Sequence, residues 1–232
     1  MAPVIKSHSA WAIIIACGKS EQIAPDVDTA FLQLGEQPIL AHSLIAFERC
    51  QEIEGIVVVA AKDRLESVVG MARMYGTPKL KKIVGGAIQK TTSIKAGLNA
   101  LEDENPSIVV IHEASQPCVT PHVISETIKG AKRYTVAAAA EKLDIPVAVV
   151  PKGLKATKSM NGNNTWALEM PVAIKRDQLA KMLGMGRSKT KVEENDFSEK
   201  LYKGAYLVQT DRPNLRIRNV TDIQIVAAAL RV

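Results

Sequence analysis

The fold of this chain is decided by residues 12–44, AIIIACGKSEQIAPDVDTAFLQLGEQPILAHSL. An apolar run typical of a buried strand leads into a loop that contains Gly18, and the segment closes with a helical pattern that has Pro38 at its start. This order is typical of a phosphate-binding element, because a glycine lets a ligand approach the backbone closely. The quoted loop carries a single lysine, Lys19.

The same alternation of apolar and amphipathic segments continues along the chain. Further strand patterns alternate with helical patterns at 55–61, 63–76, 80–86, 91–103, 107–114 and 120–134. We expect Asp63 to cap its helix and Gly76 to end it. The alternation predicts an α/β fold with three layers, in which a mostly parallel, Rossmann-like sheet is covered on both faces. Ligands of such sheets bind beyond the carboxyl ends of the strands, which singles out the loops at 16–22, 85–90 and 112–117.

The pattern changes after residue 136. Residues 136–150 read as extended, and residues 151–171 are polar with a turn-like sequence at Asn161. Two strands around that turn predict a projecting β-hairpin arm at about 142–171. An arm with little core of its own packs most simply on a second copy, so we expect a homodimer. Helices at 175–183, 193–204 and 221–230 and a strand at 205–210 complete one predicted domain over residues 1–232.

Composition and charge exclude several classes of protein. The chain has a formal charge of +6, but its lysines are dispersed and its aromatic content is only 4%, so nucleic-acid binding is not expected. No apolar run is long enough to cross a bilayer, so no membrane association is expected. The three cysteines, Cys17, Cys50 and Cys118, are far apart, which is typical of reduced thiols in a cytoplasmic protein. The histidines lack zinc-ligand spacing.

A series of motifs connects the chain to a known family. In chain order they are the strand and glycine loop, Pro-Ile-Leu-x-His-Ser, Gly-Gly…Ser-Ile-x-x-Gly-Leu, His-Glu-Ala-x-x-Pro, the arm, and Asn-Leu-Arg-Ile before Thr-Asp. From Trp11 to Leu230 the chain resembles the 2-C-methyl-D-erythritol 4-phosphate cytidylyltransferase family, whose fold is that of the nucleotide-diphospho-sugar transferases. The resemblance implies transfer of CMP from CTP to that phosphorylated polyol, with release of pyrophosphate, in isoprenoid biosynthesis. It also implies Mg²⁺ as cofactor.

The resemblance assigns roles to residues of all three loops. It implies nucleotide binding by Ala16, Cys17, Gly18, Gly85, Gly86, Ser93, His112 and Ala114. It implies that Glu113 holds the metal and that Lys90 and Arg216 are catalytic cations. Lys19, which the family pattern does not contain, is a further catalytic candidate beside the loop. Other interpretations stay open: Lys19 is solvated, Glu113 caps a helix or pairs with Lys90 or Arg216, and His112 and Ser93 support loop backbone.

Most cationic positions of the family pattern are neutral in this chain. Seven positions carry a cation in the pattern, and the chain keeps one at Lys90 and at Arg216. The other five positions hold Gln22, Thr29, Gln116, Val147 and Gly162. Since phosphoryl transfer depends on positioned cations, the sequence predicts a degraded active site.

Two functions therefore remain open. One is a cytidylyltransferase, or a nucleotidyltransferase for another nucleotide, in which other groups replace the lost cations. Lys19 and the arm lysines Lys152, Lys155 and Lys158 are the candidates for that replacement, and solvated surface charge is the alternative interpretation of them. The other function is a non-catalytic pseudoenzyme that acts as a dimeric binding or regulatory protein.

Overall fold

The computed structural model describes residues 6–18, 23, 27–151, 153–185 and 194–232, with all their side chains except those of residues 6–8 and 194–195. The strands are β1 (Lys6–Ala16), β2 (Gln33–Leu34), β3 (Gln37–Pro38), β4 (Ile53–Ala60), β5 (Leu80–Gly85), β6 (Pro106–Glu113), β7 (Val136–Lys142), β8 (Val147–Val149), β9 (Lys158–Met160), β10 (Trp166–Lys175) and β11 (Tyr206–Gln209). The α-helices are α1 (Ile39–Arg49), α2 (Leu65–Met74), α3 (Lys90–Asn99), α4 (Pro121–Tyr134), α5 (Arg176–Met182), α6 (Glu194–Tyr202) and α7 (Val220–Leu230).

Seven strands form one sheet in the order β11-β7-β10-β6-β1-β4-β5. Every neighbouring pair is parallel except the two that β10 makes with β6 and β7. The predicted mostly parallel sheet is therefore confirmed. Among the described residues, every helix is too short or too polar to cross a membrane.

Helices cover both faces of this sheet. Ile14 and Val58 pack in a core with α1, α2 and α4, whereas their neighbours Ile13 and Val57 pack in a second core with α3, α5 and α6. Successive side chains of a strand point to opposite faces, so both sets become buried. Burial on both faces explains why the strands read as continuous apolar runs, and it confirms the three layers.

The arm is shorter than the sequence predicted. Residues 166–168 pair with residues 140–142 of β7, and from Val172 onward β10 lies between β7 and β6, so residues 166–171 are part of a strand of the sheet rather than of a separate hairpin. The part outside the sheet spans 143–165 and contains the antiparallel pair of β8 and β9. The connection between that pair lies between Val149 and Lys158. Asn161 instead begins a 3-10 turn, in which its side chain accepts a hydrogen bond from the Asn163 N–H.

Helix boundaries follow some of the predicted signals. Thr120 caps α4 by accepting a hydrogen bond from the Val123 N–H, with Pro121 as the first helical residue. The prediction that Asp63 caps a helix is wrong, because Asp63 lies inside a 3-10 turn (Lys62–Arg64) and α2 begins only at Leu65, without a side-chain cap. Gly76 follows α2 with a φ of +62°, the left-handed conformation that suits glycine after a helix.

Candidate active site

The carboxyl ends of the parallel strands meet at one edge of the sheet. Ala16 at the end of β1 pairs with Ala60 of β4, and Ala60 pairs with Gly85 of β5. On the other side of β1, Ile15 pairs with Glu113 at the end of β6. Ala16–Gly18, the loop after Gly85 and the loop after Glu113 therefore leave the sheet at the same level, as predicted. These three segments together form the candidate active site.

Ser93 holds the loop that follows β5. Its hydroxyl donates to the Ala87 carbonyl at 2.9 Å, accepts from the Ala87 N–H at 3.0 Å, and lies 3.2 Å from the Cys17 sulfur. Gly86 packs against the same sulfur, because a Cβ added to it would lie 2.5 Å from Cys17 Sγ. Ser93 and Cys17 thus join the loops after β1 and β5 into one surface, which fits the interpretation that Ser93 supports loop backbone.

The remaining predicted nucleotide-binding residues differ in accessibility. A Cβ added to Gly18 would meet no atom of the described residues within 4 Å, which leaves room there for a ligand to approach the backbone. Ala16 and Ala114 are buried, and the Ala114 N–H donates to the Ile15 carbonyl at 2.9 Å. Gly85 leads directly into the loop held by Ser93. Nucleotide binding by these residues stays a prediction, and Lys19 lies outside the described residues.

Glu113 binds both cations that the chain keeps. Its Oε1 accepts a hydrogen bond from Lys90 Nζ, and its Oε2 lies 2.9 Å from Nη2 of Arg216. The Glu113 side chain is only 8% exposed, whereas those of Lys90 and Arg216 are 28% and 50% exposed. One buried carboxylate thus neutralises half of the positive charge that the site retains.

Local structure fixes both partners of Glu113. Lys90 is the first residue of α3 and follows the loop held by Ser93. Arg216 precedes Ile217, whose N–H donates to the Ser115 carbonyl at 2.8 Å and whose side chain is buried beneath α7. The backbone of both residues is therefore anchored, and Glu113 has the side-chain length to reach each of them.

The carboxylate of Glu113 is charged at neutral pH. Burial alone would raise its pKa, but the charges of Lys90 and Arg216 and the Lys90 hydrogen bond lower it below its ordinary value. No group of three His, Cys, Asp or Glu side chains suited to a metal ion occurs among the described residues. A Mg²⁺ ion on Glu113 would have to compete with two cations already bound there, so the residues as arranged do not fit a metal held by this carboxylate. The predicted metal role of Glu113 is therefore untested, and its pairing with Lys90 and Arg216 disfavours that role.

His112 lies beneath the site, inside the core. It is fully buried, its Nε2 lies 3.1 Å from the Ser43 hydroxyl, and its ring centroid lies 5.1 Å from that of Phe47. Burial lowers its pKa to about 3, although the charge of Glu113 acts in the opposite direction. His112 is therefore neutral and packs α1 against β6, which fits its structural interpretation.

Gln116, at one of the neutral positions, is a buried connector. Its Nε2 donates to the Asn214 carbonyl at 2.9 Å, and its Oε1 accepts from the Met170 N–H at 3.2 Å. The Asn214 side chain in turn donates to the Met170 carbonyl at 2.6 Å. Gln116 thus ties the loop after β6 to β10 and to the segment that carries Arg216. The sequence marked Gln116 only as a lost cation.

The other neutral positions do not restore a cation. Gly162 is tightly enclosed, because an added Cβ would lie 2.7 Å from the Leu143 carbonyl oxygen and 2.8 Å from that of Ile145. A long basic side chain therefore has no room there unless the arm rearranges. Thr29 is buried and Val147 lies on β8. Gln22 lies outside the described residues, as does Lys152 of the arm.

Two ionisable residues near the site were missed by the sequence reasoning. Glu169 of β10 is 8% exposed, and burial, together with the charge of Glu141, raises its pKa to about 7. Burial and the negative charge of Glu113 raise the pKa of Tyr202 on α6. A glutamate inside the apolar run from Trp166 to Lys175 was the available signal for Glu169. No local pattern marked Tyr202.

The fold and the position of the site define a nucleotidyltransferase-like α/β protein. The model of the 2-C-methyl-D-erythritol 4-phosphate cytidylyltransferase family matches residues 10–232, and the chain belongs to this family. The resemblance predicted from the motifs is thereby confirmed.

Relatives and solved structures agree with this assignment. The chain is 25% identical over 222 residues to the 2-C-methyl-D-erythritol 4-phosphate cytidylyltransferase of Alkaliphilus oremlandii, with 94% of each chain covered. It is 30% identical over 161 residues to that of Halalkalibacterium halodurans, with 69% of each covered. Its fold is similar to the crystal structure of 4-diphosphocytidyl-2C-methyl-D-erythritol synthase from Anaerococcus prevotii, with a TM-score of 0.79, 21% identity, and coverage of 97% of this chain and 96% of the other.

Proposed function

We propose that this chain binds CTP at the carboxyl edge of its sheet and transfers CMP to 2-C-methyl-D-erythritol 4-phosphate only slowly. The observation that carries the proposal is the pairing of Lys90 and Arg216 with the buried carboxylate of Glu113. The family membership supports the nucleotide and the acceptor, and the open backbone at Gly18 supports the place of binding.

The chemistry explains why this pairing matters. Cytidylyl transfer brings a phosphate oxygen of the acceptor to the α-phosphorus of CTP, and negative charge gathers on the transferring and leaving oxygens. Such reactions depend on positioning and on cations directed at that charge. Here five of seven cationic positions are neutral, and the remaining two already neutralise a carboxylate. The side chains of this site therefore favour binding more than transition-state stabilisation.

In this proposal, a divalent metal ion would reach the site bound to the CTP phosphates and not to a side chain of the protein. Enzymes of this family are metal-dependent nucleotidyltransferases. A Mg²⁺ ion bound by CTP phosphates would supply charge that the side chains lack. The residues of this chain are assigned no step through that ion, because Glu113 is held by Lys90 and Arg216.

The test compares this chain with a relative in one buffer. Calorimetric titration with Mg²⁺ and CTP measures binding, and pyrophosphate release with 2-C-methyl-D-erythritol 4-phosphate measures transfer. The Alkaliphilus oremlandii relative provides the reference rate. We expect CTP binding together with release at least about a hundredfold slower than the reference, the cost typical of one lost preorganised donor. Release at the reference rate would refute the proposal, and absence of binding would favour the non-catalytic alternative.

The non-catalytic alternative is favoured by the arm, which also suggests the homodimer. Ile145 and Leu154 are 65% and 101% exposed, and Val149, Val150 and Leu168 are also exposed in or beside the arm. Apolar side chains exposed together are typical of a surface that contacts another protein. We infer a dimer through residues 143–165, in a cytoplasmic protein whose three cysteines are unpaired.

Light scattering coupled to size-exclusion chromatography tests the dimer. The double variant Ile145→Asp, Leu154→Asp is expected to elute as a monomer. A cooperative thermal unfolding transition would show that this monomer is still folded. Met74→Asp is the matched control, because Met74 is 77% exposed on α2, away from the arm. A wild-type monomer across the micromolar range would contradict the inferred dimer.

A further inference from the structure

A second groove lies at the edge of the sheet opposite to the candidate active site. It has a volume of about 540 Å³ and is lined by the start of β6, the end of α4, the end of β10 and α5. Lys175 of β10 pairs there with Ile108 of β6. Ile108 and Glu113 are five residues apart on the same strand, which is about 17 Å at 3.3 Å per residue. The two sites therefore share a sheet but not a surface.

Basic side chains from three elements converge on this groove. Lys132 comes from α4, Lys175 from β10, and Arg176 and Lys181 from α5. Of the described residues that line the groove, Asp177 alone carries a carboxylate. Among the described residues, no ion pair joins any of these three lysines to a carboxylate. Like charges that converge without counter-charges repel each other, and a bound anion relieves that repulsion.

Arg176 is the most unusual of these groups. Within the described part of the chain, its Nε is inaccessible to solvent and has no hydrogen-bond partner, and its one ion-pair contact places Nη1 3.8 Å from Oδ1 of Asp177. The Asp177 side chain is 80% exposed, so it does not shield the guanidinium. Buried polar groups are nearly always satisfied, and a charged donor that is left unsatisfied is costly. A ligand in the groove can pair only with the exposed part of the guanidinium, since the Arg176 side chain is 23% exposed and its Nε is not accessible.

The wall of the groove is held rigidly. Thr135 has a φ of +78°, which is strained for a β-branched residue. Its N–H donates to the Ala131 carbonyl at 2.9 Å, and its carbonyl accepts from the Lys175 N–H at 3.0 Å. These bonds fix the end of α4 against the end of β10, so Lys132 and Lys175 approach the groove from a defined backbone.

We propose that this groove binds a small anion that carries at least two phosphoryl groups. Its volume lies in the range of about 300–1,000 Å³ that is typical of small-molecule sites. The described residues that line it include no aromatic side chain, so they offer none of the stacking surfaces that single-stranded nucleic acids use. The site is independent of the proposed function at the opposite edge and offers a place where a phosphorylated metabolite binds without entering the active site.

Titration of the full chain with inorganic pyrophosphate, followed by amide NMR, tests this proposal. We expect saturable shifts at Thr135 and at residues 175–178. Lys175→Gln, Lys181→Gln should weaken these shifts at least about tenfold, the effect of losing one charge-assisted bond. Arg176→Gln is expected to weaken them similarly, and its unfolding temperature reports whether it folds. Lys81→Gln, Lys203→Gln removes the same charge from exposed positions outside the groove and should change nothing.

The outcomes separate the two sites. Lys90→Gln, Arg216→Gln should leave pyrophosphate binding at the groove intact, whether or not the chain binds CTP. An equal loss in the control pair would mean that the shifts report general attraction to a basic protein, which overturns the proposal. Shifts confined to the loops after Ala16 and Gly85, or none at millimolar pyrophosphate, would overturn it as well. Competition by single-stranded RNA with higher affinity than pyrophosphate would reassign the groove to a different ligand.

Discussion

Replacement of Glu113 by glutamine separates two roles for that side chain, an internal anion and a metal ligand. The variant keeps the shape of the side chain but removes the charge that pairs with Lys90 and Arg216. If Glu113 acts as an internal anion, both cations become available to phosphate, and CTP binds more tightly. One charge-assisted hydrogen bond contributes about 1.5–3 kcal/mol, so we expect an affinity gain of roughly tenfold or more.

The same replacement lowers stability. An exposed ion pair contributes about 0–1 kcal/mol, and breaking a buried one costs about 3–5 kcal/mol. With Glu113 8% exposed and its partners 28% and 50% exposed, we expect a loss between these limits, of about 1–3 kcal/mol. At roughly 2–4 °C per kcal/mol for a chain of this size, the unfolding temperature falls by about 2–12 °C. Because the pKa of Glu113 is lowered in the fold, the loss is present at neutral pH and disappears as pH falls through the folded pKa.

Calorimetric titration with CTP at constant Mg²⁺, beside thermal unfolding, measures both effects. Glu104→Gln is the matched control, because Glu104 pairs with Lys82 at 2.9 Å outside the candidate active site. The control should lose some stability without a change in CTP affinity. If Glu113→Gln instead abolishes a Mg²⁺-dependent CTP affinity that the wild type has, then Glu113 is a metal ligand and the reasoning from its ion pairs is refuted.

Three further predictions follow from the structure. Gln116→Ala leaves two buried backbone groups without partners and should cost about 2–4 kcal/mol in urea unfolding, whereas an unchanged midpoint would mean that water replaces the amide. Gly86→Ala should destabilise the fold by about 1–3 kcal/mol, because the added Cβ overlaps neighbouring atoms. Gly18→Ala should leave stability unchanged and weaken CTP binding. Equal stability of the two variants would contradict this packing. The pKa of Glu169 is raised to about 7, so the folded protein holds a stabilising proton there at acid pH and loses it as pH rises through 7. Glu169→Gln should therefore be more stable than the wild type by about 2–3 kcal/mol at pH 8 but differ little at pH 5. A difference in stability that does not depend on pH would contradict that pKa.

The sheet was largely predictable because its strands carry a strong signal. Burial on both faces makes strands such as Ile53–Ala60 continuous apolar runs, and glycine loops mark their carboxyl ends. The length of the arm was not predictable from polarity, because residues 151–171 are polar as a whole although the apolar run of β10 begins inside them at Trp166. The sheet closes by placing β10 between β6 and β7, a long-range pairing that local periodicity does not encode.

The position of the site in the fold was predictable from the sequence, but the contacts among its side chains were not. The register of parallel strands brings Ala16, Gly85 and the end of β6 together, so motif positions alone located it. Whether Glu113 pairs with cations or faces a metal depends on side-chain reach across loops far apart in sequence, and the sequence left both interpretations open. The structural role of Gln116 depends on β10 and on Asn214, which local sequence does not bring together.

The rate of pyrophosphate release from CTP in the presence of 2-C-methyl-D-erythritol 4-phosphate and Mg²⁺ tests the central claim most directly. The claim is that the cations retained by this chain are bound by its own carboxylate, so that the site binds nucleotide but transfers CMP poorly. It predicts a rate at least about a hundredfold below that of the Alkaliphilus oremlandii relative measured beside it. A rate within about tenfold of that relative would contradict the claim, since it would require transition-state stabilisation that the described side chains do not supply.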